Sequence, residues 1–146
     1  MAILVSRYNE IITTRLLEGA LACCAEAGIE RDEVDVVWVP GTFELPVAAA
    51  AAADTERYAC LVALGAVIRG ETPHFEYVAG EAVRGLGQVA VRHRLPVGFG
   101  VLTVDNMEQA AERAGGGAGN KGHEAAAAAI GAADVIAQLR ARHAAG

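Results

Sequence analysis

Apolar runs of strand length alternate with helical patterns from one end of this 146-residue chain to the other. Ala2 to Val5 is continuously apolar and reads as a first strand. From about Ile11 to Ala27 apolar positions recur at helical spacing, and Gly28 then supplies a C-terminal stop. Val34 to Val39 predicts a second strand that ends at Pro40-Gly41. Thr42 is placed to cap a short helix running to about Asp54. Cys60 to Val67 predicts the third strand. The helix after it begins near Thr72, a good N-cap, with Pro73 at the first helical position, and runs to about Arg92. Val97 to Thr103 is the fourth strand, Asn106 to Ala114 a short helix, and Asn120 to about His143 a long closing one.

Strands this apolar on both faces are buried on both faces, which implies a parallel sheet covered by helices. The expected fold is α/β: a three-layer αβα sandwich with a four-stranded parallel sheet, right-handed crossovers and flavodoxin-like topology. At this length the expectation is one domain, residues 1–146. In such sheets ligands gather beyond the carboxyl ends of the strands. The segments there are Ser6 to Asn9, Pro40 to Glu44, Ala66 to Thr72 and Thr103 to Asn106.

Composition narrows the classes. With 53% hydrophobic and 21% charged residues the chain is globular rather than disordered. Charged residues or glycine interrupt every apolar run before the ~20 residues a membrane span needs. A net charge of −6 argues against a nucleic-acid surface. Cys23, Cys24 and Cys60 are odd in number and lack metal-type spacing, so they read as buried thiols in a reducing cytosol, with no metal site.

Two apparent motifs are decoys. Gly117, Gly119 and Gly122 spell a dinucleotide-type glycine pattern, but that pattern must follow a strand and this one follows a helix; a plain helix–helix connector fits better. His123-Glu124 lacks a second histidine four residues on, so it is no zinc-protease helix. His93 and His143 fall at helix ends, where capping is their ordinary role.

The strand-end loops remain. They bring Tyr8, Thr42, Phe43, Glu44, Arg69, Thr72 and His74 to one end of one sheet. Each has a local explanation; Arg69, for instance, could simply pair with Glu71. Together they offer aromatic faces and a carboxylate, which suit a flat heterocycle bearing N–H groups. A helix start with a nearby arginine suits a phosphate. An imidazole beside that anion site suggests proton transfer on a phosphorylated substrate.

These residues lie in the ordered motifs SRYNEIITTRLLEGA, WVPGTFELP, ALGAVIRGETPHFEYVAGEAVRGL, PVGFGVLT, NMEQAAERAG and GNKG. Over essentially its whole length the chain resembles the 6,7-dimethyl-8-ribityllumazine synthases of riboflavin biosynthesis. The resemblance implies a cofactor-free condensation of 5-amino-6-(D-ribitylamino)uracil with 3,4-dihydroxy-2-butanone 4-phosphate. It implies that His74 transfers protons and that Tyr8 stacks on the pyrimidine where the family usually has phenylalanine. Thr42, Phe43 and Glu44 match the turn that holds the ring and ribityl chain, and Ala66, Val67 and Ile68 the backbone that reads the ring edge. Glu71 and Thr72 match the phosphate cradle and Arg113 its cationic clamp. Phe99 matches a residue closing the heterocycle pocket, and Lys121 one reaching toward the ribityl chain.

In the family Phe99, Arg113 and Lys121 come from the adjacent subunit. The resemblance therefore implies a homo-oligomer, a pentamer or an icosahedral 60-mer shell of pentamers, with riboflavin synthase as a candidate partner. Family members usually carry an arm before the first strand that adds to a neighbour's sheet, whereas here Met1 abuts the strand. Two other readings share these residues. An archaeal-type riboflavin synthase would have no phosphate to hold, which Glu71, Thr72 and Arg113 argue against. A non-catalytic flavin-binding or shell-forming protein would stack its ligand on Tyr8 as readily.

Overall fold

A computed structural model describes all residues, Met1–Gly146. In chain order the elements are β1 (Ala2–Ser6), α1 (Glu10–Glu26), β2 (Asp35–Val39), α2 (Leu45–Asp54), β3 (Leu61–Ile68), α3 (His74–His93), β4 (Val97–Val104), α4 (Met107–Arg113), β5 (Ala114–Gly116), β6 (Gly119–Asn120) and α5 (Lys121–Ala145). The first four strands form one parallel sheet, as the apolar pattern predicts, and its order is β2-β1-β3-β4.

Alternation along the central strands shows why the sheet needs cover on both sides. Ile3 and Val5 of β1, with Val62, Leu64 and Ala66 of β3, face a core shared with α1, α4 and α5. Ala2 and Leu4, with Leu61, Ala63 and Val67, face the core under α2 and α3. Successive side chains of a strand point to opposite faces, so each strand needs apolar residues throughout. No helix is long and apolar enough to cross a membrane.

Small residues set the closest approach in the first core. Gly122 lies in the first turn of α5 against α1, where an added Cβ would collide with the Leu16 carbonyl. Asn120 locks the same junction in both hydrogen-bonding senses. Its Oδ1 accepts from the Gly122 and His123 N–H groups at 2.8 and 3.1 Å, capping α5, while its Nδ2 donates to the Arg15 carbonyl at 3.0 Å. His123 Nε2 meets Glu26 Oε2 at 2.8 Å and closes the far side.

Thr13 ties α1 to the end of β1. It is fully buried, and its Oγ1 donates to the Ser6 carbonyl at 2.7 Å. Thr13→Val keeps the shape and leaves that carbonyl short of a donor. The expected cost is about 1–3 kcal/mol, read as a lower midpoint in urea unfolding with an unchanged slope.

Three expectations need correction. Thr42 does not cap α2: it lies buried in a 3₁₀ turn, Thr42–Glu44, and α2 begins at Leu45 with Pro46 in its first turn. Thr72 does not cap α3: the helix begins at His74, Pro73 holds the cap position at φ −71°, and no side chain caps it. In both, proline presets the turn that a threonine cap would otherwise stabilise. The glycine-rich connector is an antiparallel hairpin, β5 with β6, rather than a plain link. Gly28 does stop α1, at φ 79°. Cys23, Cys24 and Cys60 are buried and free, and burial pushes all three thiols up, away from the reactive thiolate.

Candidate active site

Pairing between β1 and β3 ends at Val5 and Leu64, but β3 continues beside β4 to Ile68 opposite Val104. Gly65 to Ile68 therefore run on past β1 with one backbone edge turned away from any strand. Into that notch fold the loops after β1 and β2. The Arg7 and Tyr8 N–H groups donate to the Val39 and Pro40 carbonyls at 2.8 and 3.1 Å, carrying the β1–β2 pairing into the loops. Asn9 turns the chain with φ 61°, and its Nδ2 donates to the Ala66 carbonyl at 2.9 Å. Asparagine is among the few non-glycine residues that adopt this region readily. Sequence reasoning missed Asn9; its place just before a helix was the available signal.

A cavity of about 790 Å³ opens at this end of the sheet. Tyr8, Thr42, Phe43, Glu44, Ala66, Val67, Ile68, Thr72 and His74 all line it, so nine expected site residues from three separate stretches of chain meet in one place. Its size lies within the usual range for small-molecule sites. Tyr8 and Phe43 leave 72% and 58% of their surface exposed, which for residues this apolar leaves aromatic faces open to a ligand. Beneath them Thr42 packs against Gly65 so closely that an added Cβ would lie 2.7 Å from Thr42 Oγ1. Glu44 folds back over Gly41 and is half-buried. Phe75, Tyr77 and Val78, from the first turns of α3, complete the wall and were not foreseen.

Other expected residues lie elsewhere. Glu71 is exposed in the loop between Gly70 and Thr72, and is not itself on the cavity wall. Arg113 ends α4, where its Nη1 donates to the Gln109 carbonyl at 3.1 Å and lies 3.8 Å from Glu112. Phe99 and Lys121 line a smaller cavity, about 380 Å³, along the open edge of β4 and the start of α5. The main cavity wall thus contains no lysine or arginine, and His74 is the one lining residue able to carry positive charge.

Arg69 does not pair with Glu71. Its Nε donates to Asp105 Oδ1 at 3.0 Å, its Nη1 lies 3.8 Å from Glu76, and its guanidinium stacks 4.6 Å from the Phe75 ring centre. No group of three or more His, Cys, Asp or Glu is arranged to hold a metal ion. A further cavity, about 590 Å³, opens at the opposite end of the sheet beside Asp54, His93 and Arg94. The carboxyl-end rule favours the first cavity over this one.

The sequence model of the 6,7-dimethyl-8-ribityllumazine synthase family matches residues 1–137. Among curated relatives, a protein of that name from Clostridium kluyveri (strain ATCC 8527) is 49% identical over 137 residues, covering 94% of this chain and 89% of its own. Another from Nitratidesulfovibrio vulgaris (strain Miyazaki F) is 51% identical over 138 residues, covering 94% of this chain and 88% of its own.

Proposed function

Since the chain belongs to the 6,7-dimethyl-8-ribityllumazine synthase family, we propose a division of labour among the residues of its cavity. The enzyme is a transferase that condenses 5-amino-6-(D-ribitylamino)uracil with 3,4-dihydroxy-2-butanone 4-phosphate. The 5-amino group adds to the butanone ketone and loses water to give an imine. A proton leaves the neighbouring carbon and phosphate departs. Phosphate loss leaves an enol, which takes up a proton at its terminal carbon to become a methyl ketone. The ribitylamino nitrogen then closes the second ring onto that ketone, again with loss of water. The product, 6,7-dimethyl-8-ribityllumazine, is the immediate precursor of riboflavin.

Every step moves a proton, and none calls for a strong nucleophile. His74 is the group we assign to that work, because it is the one imidazole on the cavity wall. Tyr8 and Phe43 flank the pyrimidine with their faces. Ala66, Val67 and Ile68 lie on the β3 edge that β1 leaves open, where backbone N–H and C=O groups can read a ring edge. Thr42 and Glu44 hold the ring and the ribityl hydroxyls. Thr72 cradles the phosphate at the start of α3, with Glu71 contributing its backbone N–H from the adjoining loop.

The observation that carries the rest is the missing cation. A phosphate-binding cavity without lysine or arginine on its wall is half of a site. We assign the other half to a second copy, whose Arg113 clamps the phosphate while its Phe99 and Lys121 close over the heterocycle. A closed ring satisfies every such head-to-tail interface, and the family relationship supports a pentamer as that ring, alone or as the unit of a shell.

Mixing two impaired variants, His74→Ala and Arg113→Ala, tests this directly. Under conditions that exchange subunits, random mixing in equal amounts pairs an intact His74 with an intact neighbouring Arg113 at about a quarter of interfaces. About that fraction of wild-type activity should return. No recovery despite proven exchange would mean that the two residues do not serve one shared pocket.

A further inference from the structure

Side-chain hydrogen bonds and ion pairs within the chain bypass the His74 imidazole, so its aim depends on its backbone. That backbone opens α3 without a side-chain cap. An uncapped first turn frays unless something else fixes it. Arg69 stands where such a fixture is needed. Its own N–H donates to the Val104 carbonyl at 2.8 Å, anchoring it at the end of β4. Its guanidinium is then held by Asp105, lies over the Phe75 ring and reaches toward Glu76, the two residues that follow His74. Asp105 is itself fixed, its N–H donating to Gln109 Oε1 at 2.8 Å.

We propose that Arg69 is a positioning residue for His74: braced on Asp105, it clamps the first turn of α3 through Phe75 and Glu76 and so aims the imidazole into the cavity. The inference rests on the proton-transfer role given to His74 above. Exposed ion pairs contribute little to global stability. Three contacts on one planar group nonetheless restrict orientation, and arginine alone combines a fixed fork with a stacking face. A guanidinium so engaged, facing Asp105 and Glu76, is also poorly disposed to bind substrate phosphate itself.

The test is a double-mutant cycle with both substrates varied. Arg69→Ala should lower kcat about tenfold, with both KM values within about twofold and little change in melting temperature, because misaimed catalytic groups cost rate more than binding. Arg69→Lys, a cation without the fork, should recover only part of the loss. Asp105→Asn, which loosens the brace while leaving Arg69 in place, should move kcat the same way by less. In a His74→Ala background the Arg69→Ala penalty should vanish.

An unchanged kcat in Arg69→Ala overturns the proposal. So does a raised KM for the butanone phosphate at unchanged kcat, which would make Arg69 a phosphate ligand. A full tenfold penalty persisting without His74 overturns it too. If His74→Ala alone leaves kcat intact, the proton-transfer reading itself falls, whatever Arg69 does.

Discussion

His74→Ala lowers turnover by about 10²-fold, the usual weight of a positioned acid–base group, without abolishing it. Residual activity is expected because most of the acceleration comes from holding two substrates in register, an effect worth up to ~7–11 kcal/mol in well-aligned systems. Nothing in the reaction demands a covalent enzyme intermediate, so losing the imidazole removes a proton shuttle and leaves the assembly of reactants intact. Steady-state kinetics should therefore show kcat falling while both KM values stay near wild type. A fall in kcat below about a ten-thousandth would exceed what general acid–base catalysis ordinarily supplies and would give His74 a larger part. Equal losses in binding would instead make it a substrate ligand.

The second large effect is structural. Gly122→Ala destabilises the protein by about 2 kcal/mol, because the new methyl meets the Leu16 backbone, which cannot rotate away. Two influences oppose each other here. Alanine is the better helix former by up to ~1 kcal/mol, so propensity alone predicts a gain. Overpacking against a rigid carbonyl typically costs about 1–3 kcal/mol and here must separate α1 from α5, so sterics win. With total stabilities of only ~5–15 kcal/mol, the variant should melt well below wild type in a thermal scan. An unchanged melting temperature would mean the helices are not in such close contact.

The sheet was legible because its signal is local and redundant. Each strand carries apolar residues on both faces, and the two cores use them alternately, as with Ile3 and Leu4. Asn106 and Asn120 also begin their helices as expected, each accepting backbone N–H bonds from the first turn. Thr42 and Thr72 misled for a shared reason: nearby Pro46 and Pro73 set the helix entry, and Thr42 is instead buried against Gly65. The β5–β6 hairpin was hidden because glycine-rich strands carry no β-forming residues.

In the candidate site, legibility followed chain distance. Nine residues that converge on the cavity sit at or just beyond the carboxyl ends of β1, β2 and β3, where the fold class alone places them. Local pattern offers Arg69 its nearest carboxylate in sequence, Glu71, yet it meets Asp105, 36 positions away. Local pattern carries no information about such a partner; only the β3–β4 register, which sets Ile68 beside Val104, brings the two loops together. Arg113, Phe99 and Lys121 form no part of the same wall, because one chain does not bring them there.

Asn120 uses its amide in both directions, and that has a chemical cost over time. Spontaneous hydrolysis to the carboxylic acid would preserve the acceptor that holds the opening of α5. It would also set an anionic oxygen against the Arg15 carbonyl, where an N–H now donates. That change would strike only the Arg15 contact of the α1–α5 seam, leaving the His123–Glu26 pair and the Gly122–Leu16 packing in place.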